Sequence, residues 1–159
     1  MPKVEKMPTH SEVKSLPYSA NQMYNLVADV EKYSEFLPWC AAARIHKRYL
    51  KDQCEILEAD LVISFKVFRE KFGSRVTLWQ DSCEIDTEYL DGPFKYMKSN
   101  WAFSDTADGC QVEFFVDFEL KNAILRRIIG VVFNEAMQRV VNAFEDRAAA
   151  LYGYSGTQV

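Results

Sequence analysis

The chain has 159 residues, enough for one domain with a sizeable core, and 48% hydrophobic with 14% aromatic residues marks it as globular. Its net charge of −4 argues against sequence-independent binding to DNA or RNA, which needs a basic field, and leaves a neutral apolar ligand open. Cys40, Cys54, Cys83 and Cys110 form no CxxC or CxxH pair, so no metal site is expected and reduced thiols in a cytoplasm are the default reading.

Met1–His10 is polar, lacks the apolar core of a secretory signal, and is too short and Arg-poor for an organelle presequence. No run of about 20 apolar residues predicts a membrane span. His10–Leu16 reads as an opening strand, with Val13 and Ser15 against Lys14 and Leu16. Ser19 is a credible N-cap for a helix over Ala20–Val30, and Val30–Phe36 carries a second short helix that Pro38 ends. Leu37-Pro38-Trp39-Cys40 is then a turn that presses a Trp on whatever lies beneath.

From Cys40 the period becomes two. Strands are expected over Cys40–Tyr49 and Cys54–Phe65, split by a Lys51-Asp52 turn. In the second of them Leu57, Ala59, Leu61, Ile63 and Phe65 share a face. Phe68–Trp79 follows, with Phe68, Phe72, Val76 and Leu78 on one side, then Ser82–Leu90 and the turn Asp91-Gly92-Pro93. Phe94–Ser104 and Cys110–Leu120 flank Asp108-Gly109, a hairpin signal. Val112, Phe114, Val116, Phe118 and Leu120 alternate with Glu113, Asp117 and Glu119, and only Phe115 breaks the polar face.

Asn122 to about Tyr152 is one uninterrupted helix signal, roughly 45 Å long at 1.5 Å per residue. Leu125, Ile128, Ile129, Val132, Phe133, Ala136, Met137, Val140, Val141, Phe144, Ala148 and Leu151 recur at three- and four-residue steps. The polar residues fall in a narrow stripe of Arg127, Asn134, Gln138, Asn142 and Glu145. A helix apolar over so much of its circumference, after a run of alternating strands, suggests a curved sheet closing on it around a greasy molecule.

Three segments carry a resemblance. They are Tyr18-Ser-Ala-Asn-Gln-Met-Tyr-Asn-Leu-Val-Ala-Asp-Val-Glu-Lys-Tyr-Ser-Glu-Phe-Leu-Pro-Trp-Cys40, Gly92-Pro-Phe-Lys-Tyr-Met with Trp101-Ala-Phe103, and Phe133-Asn-Glu-Ala-Met-Gln-Arg-Val-Val-Asn-Ala-Phe-Glu-Asp-Arg147-Ala148. Spanning about residues 9 to 152, the chain resembles the coenzyme Q-binding, START-like family of the polyketide cyclase and plant-allergen superfamily. The resemblance implies an α+β helix-grip fold: a seven-stranded antiparallel sheet wrapped around the C-terminal helix, with two short helices after the first strand. It implies one ligand-binding domain over 1–152, a flexible tail over 153–159, and a non-enzymatic helper of respiration or quinone synthesis that binds ubiquinone in an apolar tunnel. The ligand would be ubiquinone or a similar polyisoprenoid lipid, met at a transient membrane surface by a cytoplasmic protein peripheral to the inner membrane. A bacterial branch is described as a ribosome-association toxin, which offers a ribosomal subunit as the alternative partner. A cyclase-type enzyme is a further alternative, since fold does not fix function.

A polyisoprenoid tail makes no hydrogen bonds, so its tunnel needs apolar walls; an unpaired polar group buried there costs about 1–3 kcal/mol. The expected wall is Leu61, Ile63, Trp101, Phe103, Phe114, Phe118, Phe133, Met137, Val140 and Phe144. Taken singly, each suits a plain core as well. Trp101 offers an N–H to a quinone carbonyl or to a backbone oxygen, and Trp39 either caps the tunnel or packs on the surface. No catalytic residue and no catalytic cofactor are expected: the inward faces show no acid/base pair, and His10 and His46 have no carboxylate partner evident in sequence. Arg44, His46 and Arg48 share a strand face with Lys47 and Lys51 near, which reads as solvated or as a site for an anionic membrane surface or RNA. The acidic run Asp81, Glu84, Asp86, Glu88 and Asp91 lacks calcium-loop spacing and reads as a solvated face. Greasy Ile124–Phe133, with Gly130 inside, admits three readings: a gate, a membrane-touching end, or a bend fitted to the sheet.

Overall fold

A computed structural model describes residues 9–65 and 68–153. The N-terminal stretch up to Pro8, the side chain of Phe68 and the tail beyond Gly153 lie outside the described residues. Strand β1 (His10–Leu16) leads into α1 (Ala20–Ala28), a 3-10 turn (Val30–Lys32) and α2 (Tyr33–Phe36). Six strands follow, β2 (Cys40–Lys51), β3 (Cys54–Phe65), β4 (Phe68–Trp79), β5 (Glu84–Asp91), β6 (Phe94–Thr106) and β7 (Gly109–Leu120), and α3 (Ala123–Tyr152) closes the fold.

Ser19 caps α1 reciprocally: the Gln22 N–H donates to Ser19 Oγ at 3.0 Å and the Ser19 N–H donates to Gln22 Oε1 at 2.9 Å. The helix stops at Ala28, two residues short of expectation, because Asp29 leaves the helical region (φ −84°, ψ 68°) and the chain re-coils as the 3-10 turn. Asn122 caps α3, its Oδ1 accepting from the N–H groups of Ile124 and Leu125 at 2.8 and 3.1 Å.

The turns sit one residue later or earlier than the sequence pattern implies. Asp52 and Gln53 both have positive φ (51° and 67°), the geometry a two-residue hairpin favours, so Lys51 stays in the ladder opposite Cys54. Thr106 pairs with Gly109, leaving Ala107-Asp108 as the second tight turn. Gly109 is required there: φ is +155°, and a Cβ would fall 2.0 Å from the Leu16 carbonyl oxygen. Cys83 (φ 52°) belongs to the turn before β5, which is why that strand starts at Glu84.

The seven strands form one antiparallel sheet in the order β1-β7-β6-β5-β4-β3-β2, so β1 and β2 are its edges. Parity sets the inner face: Leu57 and Ala59 of β3, Phe72, Val76 and Leu78 of β4, and the even-numbered apolar residues of β7 from Val112 to Leu120 are buried. Helix α3 lies against β1, β7, α1 and α2. This is the α+β helix-grip arrangement that the resemblance implied, with a seven-stranded antiparallel sheet, a long C-terminal helix and two short helices after the first strand.

Two face assignments need correction. A bulge between Ile45 and Lys47 resets the alternation of β2. Arg44 stands opposite Asp60 and Lys47 opposite Glu58, whereas Arg48 stands opposite the buried Leu57 and donates to Glu55 at 2.9 Å. Arg44, His46 and Arg48 therefore do not share a face. Leu151, counted in the apolar stripe of α3, is half exposed near the end of the helix.

An apolar cavity between the long helix and the sheet

Where the first half of α3 faces β3, β4 and β6, the two layers enclose a cavity of about 310 Å³. Leu61, Ile63 and Phe65 of β3 and Phe72 of β4 form one wall; Phe94 and Met97 of β6 and Val116, Phe118 and Leu120 of β7 form the next. The helix supplies Leu125, Ile129, Val132, Phe133, Ala136, Met137 and Val140, and the turn Leu37-Pro38-Trp39-Cys40 closes one side with Pro93. Among the described residues Glu70 is the one charged residue on the lining, and it is exposed. Burial pushes the Cys40 thiol up, so it lines the cavity as a neutral group.

Trp39 is held in a strained backbone conformation. Its φ of 64° is unusual for a bulky residue, its carbonyl accepts from the Ser64 N–H at 2.8 Å, and its ring meets Phe65 edge-on at 5.5 Å. Of the two readings open for Trp39, the structure places it on the cavity.

Six of the ten expected wall residues border this space: Leu61, Ile63, Phe118, Phe133, Met137 and Val140. Trp101, Phe103, Phe114 and Phe144 do not. They pack together toward α1, with Trp101 at 4.2 Å from the Phe114 ring centroid, 5.0 Å from Phe144 and 6.1 Å from Phe103. Phe103 meets Tyr24 of α1 edge-on, and Phe144 meets Tyr33 and Phe36. The placement follows from position along the strand: Phe114 and Phe118 share a parity but stand about 13 Å apart at roughly 3.3 Å per residue. The lining residues the sequence reading missed on the helix, Leu125, Ile129, Val132 and Ala136, lie on the same stripe as Phe133 and Val140 and were open to that argument.

The expectation that inward faces carry no titratable pair also needs correction. The inward row of β1 is His10, Glu12, Lys14 and Leu16; His10 Nε2 lies 3.1 Å from Glu12 Oε2, and Lys14 pairs with Glu145 of α3. As an edge strand under α3, β1 tolerates such groups because they are paired and half-buried. The His10 ring abuts Phe114 and Phe133, and neither His10 nor Glu12 borders the large cavity. Glu12, Lys14 and Glu145 border a separate space of about 20 Å³, room for about one water and no organic substrate. His46 also gains a carboxylate, Asp60 at 3.6 Å, on the outer face.

Behind the Trp101 cluster, burial first and neighbouring Cys83 second push the Tyr24 hydroxyl up to about 12; burial, then Asp105, push the Cys110 thiol up to about 11. Both folded values exceed the ordinary 10.0 and 9.0, so the folded state resists ionisation. The stability that these neutral groups contribute is complete below pH 9 and drains as pH climbs through about 11 to 12. The midpoint of thermal unfolding should thus hold to pH 9 and fall above it; a flat profile to pH 12 would contradict this placement.

Among the described residues, no helix is long and apolar enough to cross a membrane, and no group of three or more His, Cys, Asp or Glu is placed to hold a metal ion.

A long helix gripped by a seven-stranded sheet, with an apolar hollow between them, defines a START-like protein. The chain belongs to the family described as polyketide cyclase / dehydrase and lipid transport, matching it over residues 16–145. It is 38% identical over 145 residues to the ribosome association toxin RatA of Rickettsia prowazekii, covering 89% of this chain and 97% of that one. It is 31% identical over 149 residues to the mitochondrial coenzyme Q-binding protein COQ10 homolog B of Xenopus laevis, covering 91% of this chain and 59% of that protein. The solution structure of an 18 kDa protein from Caulobacter crescentus superposes with a TM-score of 0.77 at 33% identity, covering 92% and 99% of the two chains.

Proposed function

We propose that this protein binds a polyisoprenoid lipid, ubiquinone in the first instance, in the cavity under α3 and shelters it as a chaperone for respiratory electron transport or quinone synthesis. The observation that carries this reading is the apolar lining, on which the exposed Glu70 is the one charge among the described residues. Apolar walls offer water few hydrogen bonds, so filling the space with hydrocarbon displaces no well-held water. Removing the ligand from water yields about 25 cal/mol per Å² of apolar surface. Met97 and Met137 give the walls room to adapt. At about 310 Å³ the cavity sits at the lower end of the usual range of about 300–1,000 Å³ for ligand sites. It suits a ring or a short stretch of tail.

No bond is made or broken in this reading, and no catalytic cofactor is invoked. It favours binding over cyclase-type chemistry because the inward His10–Glu12 pair is walled off from the cavity by aromatic rings. It would place the protein in the cytoplasm, at the inner-membrane surface while loading. The test joins mass spectrometry of small molecules extracted from natively purified protein with titration by a short-chain ubiquinone, read by tryptophan fluorescence. Quinone in the extract and a saturable fluorescence change are expected; absence of both would sink the reading.

A second reading is association with the large ribosomal subunit. It is favoured by one observation, the match to 97% of the length of the Rickettsia protein named for ribosome association. The bulge that divides the basic face of β2 weakens the surface first considered for it. Co-sedimentation with large subunits at moderate salt discriminates between the two.

A further inference from the structure

We infer that the outer face of the first three turns of α3 docks on an anionic lipid bilayer, a proposal that rests on the lipid-binding reading of the cavity behind it. At 100° per residue, Ile124, Ile128 and Val131 fall on one stripe, opposite the lining residues Phe133 and Val140. Ile124 is 69% exposed and Val131 84%, whereas farther along the same stripe come Glu135, Gln138 and Asn142. The apolar part of the outer stripe is thus confined to the stretch of helix that walls the cavity.

Charge identifies the occupant. From Lys121 to Asn134 the chain carries Lys121, Arg126 and Arg127 and no carboxylate, on a protein whose net charge is −4. Arg126 and Lys95 share Glu119 at 3.1 and 3.6 Å; Lys121 and Arg127 are exposed to solvent. Cations at a helix N-terminus oppose the macrodipole, so helix stability does not account for them. Exposed aliphatic side chains flanked by cations match a surface of anionic head groups over hydrocarbon. Leu125, Ile129 and Val132 of the same turns face the cavity, so a docked helix would stand between the bilayer and the site that its lipid must reach.

The experiment uses the full chain and sedimentation with phosphatidylcholine vesicles, with or without phosphatidylglycerol. The protein is expected to pellet with the anionic vesicles only, and salt should weaken the binding. Each of K121Q and R127Q should lower the partition coefficient about fivefold. I124S/V131S should lower it further, while quinone titration and unfolding midpoint stay at wild-type values because these side chains point outward. A chain that takes quinone yet ignores anionic vesicles, or whose variants pellet like wild type, overturns the docking and leaves the cavity reading intact. Pelleting through these residues without quinone binding supports the docking and overturns the cavity reading. Loss of large-subunit co-sedimentation in the same variants, with no vesicle binding by wild type, assigns the patch to a ribosomal partner and overturns the proposal.

Discussion

Replacing Ala136 with Trp is expected to weaken apolar-ligand binding about a hundredfold while leaving the fold intact. Ala136 projects from α3 into the cavity between Val132 and Val140, and it is the smallest side chain that the helix contributes to the lining. An indole there occupies space the ligand would use. Losing about 100 Å² of ligand burial at about 25 cal/mol per Å² costs about 2.5 kcal/mol, close to two powers of ten in affinity. Stability should move the other way, because filling an apolar void commonly adds about 0.5–2 kcal/mol. Ligand at about a hundredfold over its Kd raises wild-type stability by about 2.7 kcal/mol, so thermal unfolding with and without quinone reads both effects in one series. The variant should start higher and gain little from quinone. Equal gains in the two proteins would place the ligand elsewhere.

Much of this architecture is legible in the sequence because its elements are strongly periodic. β7 alternates without error on its inner side from Val112 to Leu120, and both boundaries of β3 and β4 follow from the period. The length of α3 follows from its unbroken stripe and the Asn122 cap. What stayed hidden depends on quantities that periodicity does not carry. Parity says which residues share a face but not which face is inner, so the charged row of β1 was not foreseen as inward. A one-residue bulge at Ile45/Lys47 flips parity and has no composition signal. Most consequentially, parity is blind to depth along the strand: Met97 stands opposite Phe118 on the cavity, while Trp101, one step of four residues further on, stands opposite Phe114 in the aromatic core. The apolar excess of α3 likewise divides two ways, part of it lining the cavity and part, Ile124 and Val131, turned to solvent.

Trp101 separates the core from the cavity most sharply, and the two roles predict opposite outcomes. As a core residue, 7% exposed and in contact with Phe103, Phe114 and Phe144, its truncation to Ala should cost about 3–5 kcal/mol. That is a large share of the roughly 5–15 kcal/mol that holds a domain together. At about 2–4 °C per kcal/mol for a chain of this length, the unfolding midpoint should drop by on the order of 10 °C. Trp101→Phe keeps a ring against Phe114 and should cost much less, which makes it the informative variant for binding. Because Trp101 does not border the large cavity, W101F should hold quinone affinity within about twofold once the protein is folded. The opposite result, a tenfold weaker Kd at an unchanged unfolding midpoint, would mean that the indole reaches the ligand. The hollow would then have to extend through the aromatic cluster toward α1 when occupied, with Phe114 and Phe144 swinging aside to admit it.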